Sequence, residues 1–177
     1  MSFIKDNAGE YEDWVELYNN GPASVNLSGY GLSDDPALPL KWTFPNVTVA
    51  SGQYLIVWCS DKNRSVAGQP LHTNWKISGS GEIITLSNPS SVAVSTAPAA
   101  VLQPDISWGK SPNGTGPYVY FGTPTPNAAN TSTGYSGFVN PPTFSQNSGF
   151  FTTGFNLTLS ASDAGATILY TLDGSEP

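Results

Sequence analysis

Apolar residues in this chain recur at every second position or in short runs, and each run soon meets glycine, proline, asparagine or serine. A period of two puts alternate side chains on opposite faces of an extended strand and cannot build the apolar stripe of a helix. Val15 and Leu17 alternate with Trp14, Glu16 and Tyr18, so the first pair is expected to face a core. Asn19-Asn20-Gly21-Pro22 reads as a turn, because these residues close local hydrogen bonds or preset the backbone. Short strands follow at Val25–Leu27, Gly29–Leu32 and Lys41–Phe44. Tyr54–Cys59 is the most apolar run and is expected to be a central strand, covered on both faces.

Residues 60–71 read as a polar loop, Asn74–Ile77 as a short strand, and Ser78–Gly81 as a turn. Glu82–Leu86 and Val92–Val94 bracket Asn88-Pro89-Ser90, which predicts a hairpin. Ile106–Gly109 and Tyr118–Phe121 close the domain. Many short strands at regular spacing predict an all-β sandwich. The expected core is Val15, Leu17, Leu32, Phe44, Leu55, Val57, Ile84, Leu86 and Ile106. Residues 1–130 form this domain, 131–142 a proline-containing linker, and 143–177 a second, partial β-unit with strands at Phe155–Leu159 and Ile168–Leu172. Two strands bury too little apolar area to stand alone.

Composition narrows the function classes. Acids outnumber Lys and Arg 13 to 6, a net charge of −7, so the chain repels phosphate backbones and nucleic acid is not an expected partner. Charged residues make up only 11%, against about 25% in ordinary globular domains. Ser, Thr, Asn and Gln must supply solubility instead, as in secreted β-proteins, and the chain is expected outside the cell or on its surface. No run approaches the ~18 apolar residues of a membrane span. No basic-then-apolar signal precedes residue 10, and the chain reads as an internal, monomeric fragment of a larger protein. Cys59 is the sole cysteine, which leaves no internal disulfide, and it is expected as a buried thiol. The six Asn-x-Ser/Thr triplets (Asn26, Asn46, Asn63, Asn113, Asn130, Asn156) follow from the Asn- and Ser-rich composition and are given no role.

Glu12–Asn20, Leu27–Asp34, Trp42–Pro45, Gly52–Trp58, Gly81–Ser87 and Thr123–Asn130, taken in series, resemble the lamin tail domain, in its bacterial secreted branch. The resemblance implies an immunoglobulin-like sandwich. It also implies one more strand at the start, which is expected to be missing here, since Met1-Ser2-Phe3 begins just after it. Phe144-Ser145, Ser148–Phe151 and Ala166–Pro177 resemble the first half of the small β-domain that ends chitobiase and β-hexosaminidase proteins. That order of modules is similar to the front of bacterial surface proteins with a spore-coat-H-like kinase domain downstream.

Candidate chemistry is sparse, and no catalytic residue and no cofactor are expected. His72 is the only histidine, and Pro70–Asn74 reads as a loop entering a strand, so a surface or rim position is expected. Gly79-Ser80-Gly81 lacks the Gly-Lys-Ser/Thr of a phosphate loop. Seven acids lie in the first 35 residues: Asp6, Glu10, Glu12, Asp13, Glu16, Asp34 and Asp35. In Gly- and Asn-rich loops they do not suggest the paired-carboxylate cleft of a glycosidase. Asp6, Glu10, Glu12 and Asp13 are the candidates for a calcium-stabilised, adhesion-type domain, since hard cations take clustered loop oxygens. Trp75 and Trp108, on short strands beside polar loops, are the candidate platform for a cell-surface glycan. The leading expectation is an accessory module, a spacer or protein-binding domain, with an edge strand available for pairing.

Overall fold

A computed structural model describes residues 4–176. Met1-Ser2-Phe3, which the resemblance places just after the missing first strand, lie outside the described residues. No helix forms among the described residues; the chain is strands and turns. It divides into two compact units, residues 1–136 and 137–177.

The first unit holds, in order, β1 (Asp13–Tyr18), β2 (Val25–Asn26), β3 (Gly31–Ser33), β4 (Trp42–Thr43), β5 (Thr48–Val49) and β6 (Tyr54–Cys59). There follow β7 (Leu71–His72), β8 (Ile84–Ser87), β9 (Ala93–Ala97), β10 (Ser107–Lys110), β11 (Tyr118–Phe121) and β12 (Gly134–Tyr135). The second unit holds β13 (Thr143–Phe144) and β14 (Leu159–Ser160).

Two sheets make the sandwich, in the orders β1-β6-β7 and β4-β3-β8-β9. β1 runs antiparallel to β6, with Val15 opposite Val57 and Leu17 opposite Leu55. β7 joins the other side of β6 in parallel, with His72 beside Trp58. The core lies between the sheets: Val57, Cys59 and Leu71 from one, Leu32 and Trp42 from the other, with Leu27, Phe44, Val49 and Trp75 from their flanks. The alternate apolar positions therefore meet face to face, and this fold is an immunoglobulin-like, all-β one. β2 pairs with β5 at one flank, and β10-β11-β12 forms a separate small sheet.

The turns obey their residues. Asn19 accepts from Gly21 N at 3.0 Å and donates to the carbonyls of Ala23 and Val49, each at 2.9 Å. Asn88 Oδ1 accepts from Ser90 N and Val92 N, both at 3.0 Å, which closes the β8–β9 hairpin.

Four expectations differ from the structure. Asn74–Ile77 is not a strand; that edge of the sheet is β7, and residue 76 makes only an isolated bridge to Ser60. Parallel pairing beside β6 rests on the backbone positions of 71–72, which the polar surroundings hide in the sequence. Ile106 lies outside the core cluster, while Leu27, Trp42, Val49, Cys59, Leu71 and Trp75 belong to it. Residues 134–135, inside the stretch expected to be a linker, pair with β11. In the second unit, Ile168–Leu172 forms no strand, and of 155–159 only Leu159 is in one. An alternating segment becomes a strand only where a partner offers hydrogen bonds, and here β13 and β14 offer them to each other alone. Phe150, Leu169, Tyr170 and Leu172 are exposed.

Candidate functional site

Asp6 turns the N-terminal segment on itself: its Oδ1 accepts from Ala8 N at 2.8 Å and Glu10 N at 3.0 Å. Its other oxygen meets Lys62 Nζ, which also reaches Glu10 at 2.5 Å and Glu12 at 3.3 Å. The Asp6 side chain is fully buried. Burial alone pushes its pKa up, but the hydrogen bonds from Lys62, Glu10 N and Ala8 N outweigh this and lower it to about 2. The bond to Asp6, with that to Glu10, raises the Lys62 pKa against the burial that lowers it. Asp6, Glu10 and Glu12 do converge, within 4.8 Å, as clustered oxygens for a cation would. The lysine ammonium stands among them. Asp13 does not join this cluster.

His72 is not a rim residue. It is fully buried, because parallel pairing carries β7 into the interior beside Trp58. Ser60 Oγ lies 2.8 Å from Nδ1 and Asn7 Oδ1 3.2 Å from Nε2. Asn7 Oδ1 only accepts, so Nε2 carries the proton and Nδ1 accepts from Ser60. Burial, then Lys62 and Arg64, lower the His72 pKa and favour this neutral form. A serine and a base at nucleophile distance invite comparison with a hydrolase. Ser60 is itself buried, and the shallow pocket nearby, about 260 Å³, is lined by Asn7, Arg64 and Gln69 but by neither Ser60 nor His72. The pair is therefore a satisfied polar link inside the sandwich. No sequence signal marked it, since its members are 12 residues apart, Ser60 just past the end of β6 and His72 on β7.

The two candidate platform tryptophans separate. Trp75 is buried at 5% exposure and is a core residue, so it offers no face to a ligand. Trp108 is half-buried on β10 and packs on Tyr120 at 4.4 Å and Tyr118 at 5.7 Å between ring centroids. Its indole N–H donates to Pro98 O at 3.2 Å.

Trp108 borders a groove of about 740 Å³ between β1, β8–β9 and β10. Val15, Leu17, Ile84, Leu86, Leu102 and Ile106 line it, with Asp13, Glu16, Glu82, Asp105 and Lys110 among the charged groups. The groove explains why four of the expected core residues, Val15, Leu17, Ile84 and Leu86, are only partly covered. Glu16 accepts from Asn127 N at 2.5 Å, yet desolvation prevails and raises its pKa to about 7. Burial also raises the pKa of Asp13. A carboxyl whose pKa is higher in the folded state favours folding most where it is protonated, so stability falls as pH rises from about 4.5 through 7. Glu16→Gln keeps the acceptor for Asn127. It should stabilise the fold at pH 8 by about 1–2 kcal/mol, reduced from the full shift by partial exposure, and by little at pH 4.5. Urea unfolding at the two pH values measures this.

With the geometry in place, comparison with known families is informative. The family model described as Lamin Tail Domain matches residues 2–99. The one described as Chitobiase/beta-hexosaminidase C-terminal domain matches residues 146–177. Both are accessory-type β-domains without catalytic machinery of their own. No curated protein and no solved structure matches the chain.

Proposed function

Because the chain belongs to the lamin tail domain family, we propose that it is a non-catalytic accessory module of a secreted or cell-surface bacterial protein, which binds a partner protein. One observation carries this reading: the groups capable of chemistry are tied to one another, while the groove stays open. His72 and Ser60 are buried and mutually bonded, and Lys62 is paired with all three acids of the cluster. Beside the groove, partly covered apolar side chains stand ready to be covered. The low charge and acidic balance fit a surface exposed to the medium rather than to nucleic acid.

The test uses intact source cells and the immobilised chain. The parent protein should be cleaved by added protease on unbroken cells. Surface extract should yield a partner whose retention is lost with Leu17→Lys, a change within the groove. Retention unaffected by that change, or a parent protected until lysis, argues against the proposal.

The row of Trp108, Tyr118 and Tyr120 favours a second reading, binding of a cell-surface glycan, since aromatic faces stack on sugar rings. A glycan array in which a hit disappears with Trp108→Ala would select it over the protein partner.

A further inference from the structure

Arg64 is the chain's only arginine, and its guanidinium has no partner among the described residues. The other basic side chains are engaged: Lys41, Lys62 and Lys76 pair with acids, and Lys5 and Lys110 lie over tyrosine rings. Arg64 lines a dish of about 260 Å³ with Asn7, Asn63 and Gln69, and Val66 and Pro70 add its apolar part. No acid lines it, so the dish carries a formal +1 on a chain of −7. Its wall is fixed from inside the sandwich. Arg64 N donates to His72 O and His72 N to Arg64 O, each at 2.9 Å, and Asn63 N donates to Thr73 O at 2.9 Å. Both His72 and Thr73 are fully buried. Asn7 comes from the turn that the Lys5–Tyr11 bridge closes, and no residue of β1 lines the dish. The bond of Asn7 Oδ1 to His72 leaves the Asn7 amino group to donate elsewhere. Asparagine side chains such as Asn19, Asn26, Asn88 and Asn130 close turns or tie segments together. The side-chain amides of Asn63 and Gln69 make no such bond among the described residues.

We infer that this dish binds one uronic acid unit, with Arg64 on its carboxylate and the Asn7, Asn63 and Gln69 amides on its ring hydroxyls. The site is separate from the groove and from Trp108, and it stands without either reading of them. The guanidinium selects the carboxylate. Its planar fork meets both oxygens with parallel hydrogen bonds, which the point charge of a lysine does not match. The amides select the hydroxyls, because each offers both donors and an acceptor and a hydroxyl uses both. Val66 and Pro70 suit the apolar C–H side of a sugar ring. Size limits the ligand to one unit: about 260 Å³ falls below the roughly 300–1,000 Å³ of pockets that enclose drug-sized molecules. Charge excludes a densely acidic polymer, which the net −7 of the chain repels, while one fixed cation holds one carboxylate.

The probes are the methyl glycosides of glucuronic and galacturonic acid, titrated into the isotope-labelled whole chain and followed by NMR. The matching neutral methyl glycosides, which lack the carboxylate, and acetate, which lacks the ring, are the controls. The proposal expects saturable shifts at the Arg64 Nε–H and at the Asn7, Asn63 and Gln69 side-chain amides with at least one uronide. Both kinds of control should bind at least tenfold more weakly. Arg64→Lys should weaken uronide binding at least tenfold without moving the melting temperature, and Trp108→Ala should bind as the wild type does. Equal binding of the neutral glycoside would overturn the proposal, because the guanidinium then selects nothing. Equal binding of acetate would overturn it by reducing the dish to a simple anion site. No saturable shift with either uronide, or shifts that vanish with Trp108→Ala and survive Arg64→Lys, would overturn it as well; the latter would leave the glycan reading of Trp108 standing.

Discussion

Lys62→Met should cost about 3–5 kcal/mol at neutral pH, the range for leaving a buried charge without its partner. The loss centres on Asp6, whose side chain is fully buried. Glu12 is partly covered and adds to it, whereas Glu10 is mostly exposed and contributes little. The pH dependence identifies the cause. In the wild type the pKa of Asp6 is lowered to about 2, below its usual value of 3.8. Its stabilisation is complete above that usual value and is lost as pH falls towards 2. Without Lys62, the buried carboxylate is disfavoured when charged, so the variant should weaken as pH rises. The gap between the two proteins should close on acidification and widen at neutrality, as read from urea midpoints between pH 3 and 7. A gap independent of pH would mean that lost packing of the lysine stem dominates. The same variant addresses calcium. Millimolar calcium should leave the wild-type melting temperature unchanged, since an ammonium already stands among the carboxylates, and should raise that of Lys62→Met. A rise in the wild type would restore a calcium role to Asp6, Glu10 and Glu12.

Gly31→Ala should cost on the order of 3 kcal/mol, although it adds a single methyl group. Gly31 lies on β3, flanked by β4 and β8 and opposite Thr43 and Ser87. A β-carbon there would overlap the Pro39 carbonyl oxygen and lie 2.7 Å from Leu40 Cα. Both obstacles are backbone, so the segment before β4 must move with the sheet. Gly79→Ala is the control, because a β-carbon at Gly79 meets nothing within 4 Å and the effect should stay within about 0.5 kcal/mol. Guanidinium unfolding of both variants checks the contrast. Equal midpoints would mean that the approach of residues 39–40 to β3 is loose.

Tyr54–Cys59 was readable as the middle strand because its apolar run has no polar face to spare, and β6 indeed sits between β1 and β7. The β8–β9 hairpin was readable because Asn88 closes its own turn. Ile106 looked like core by the same rule of apolarity, but coverage depends on what lies opposite, and opposite Ile106 is the groove. Trp75 misled in the other direction: polar neighbours in sequence do not expose a ring that the sandwich covers. Of the calcium candidates, three met as expected from their crowding in the chain. The lysine that bridges them was hidden, because it comes from 56 residues away from Asp6.

The order of apolar, polar and turn-forming residues by itself determined the strand class, the central strand and the family, since each depends on the chain within a few residues of itself. The tertiary structure alone decided that His72 is sealed inside, that Lys62 reaches Asp6, and that β1, β8, β9 and β10 line one groove. Those three features arise from pairings between distant segments, and a two-residue repeat carries no record of which partner will lie across from it.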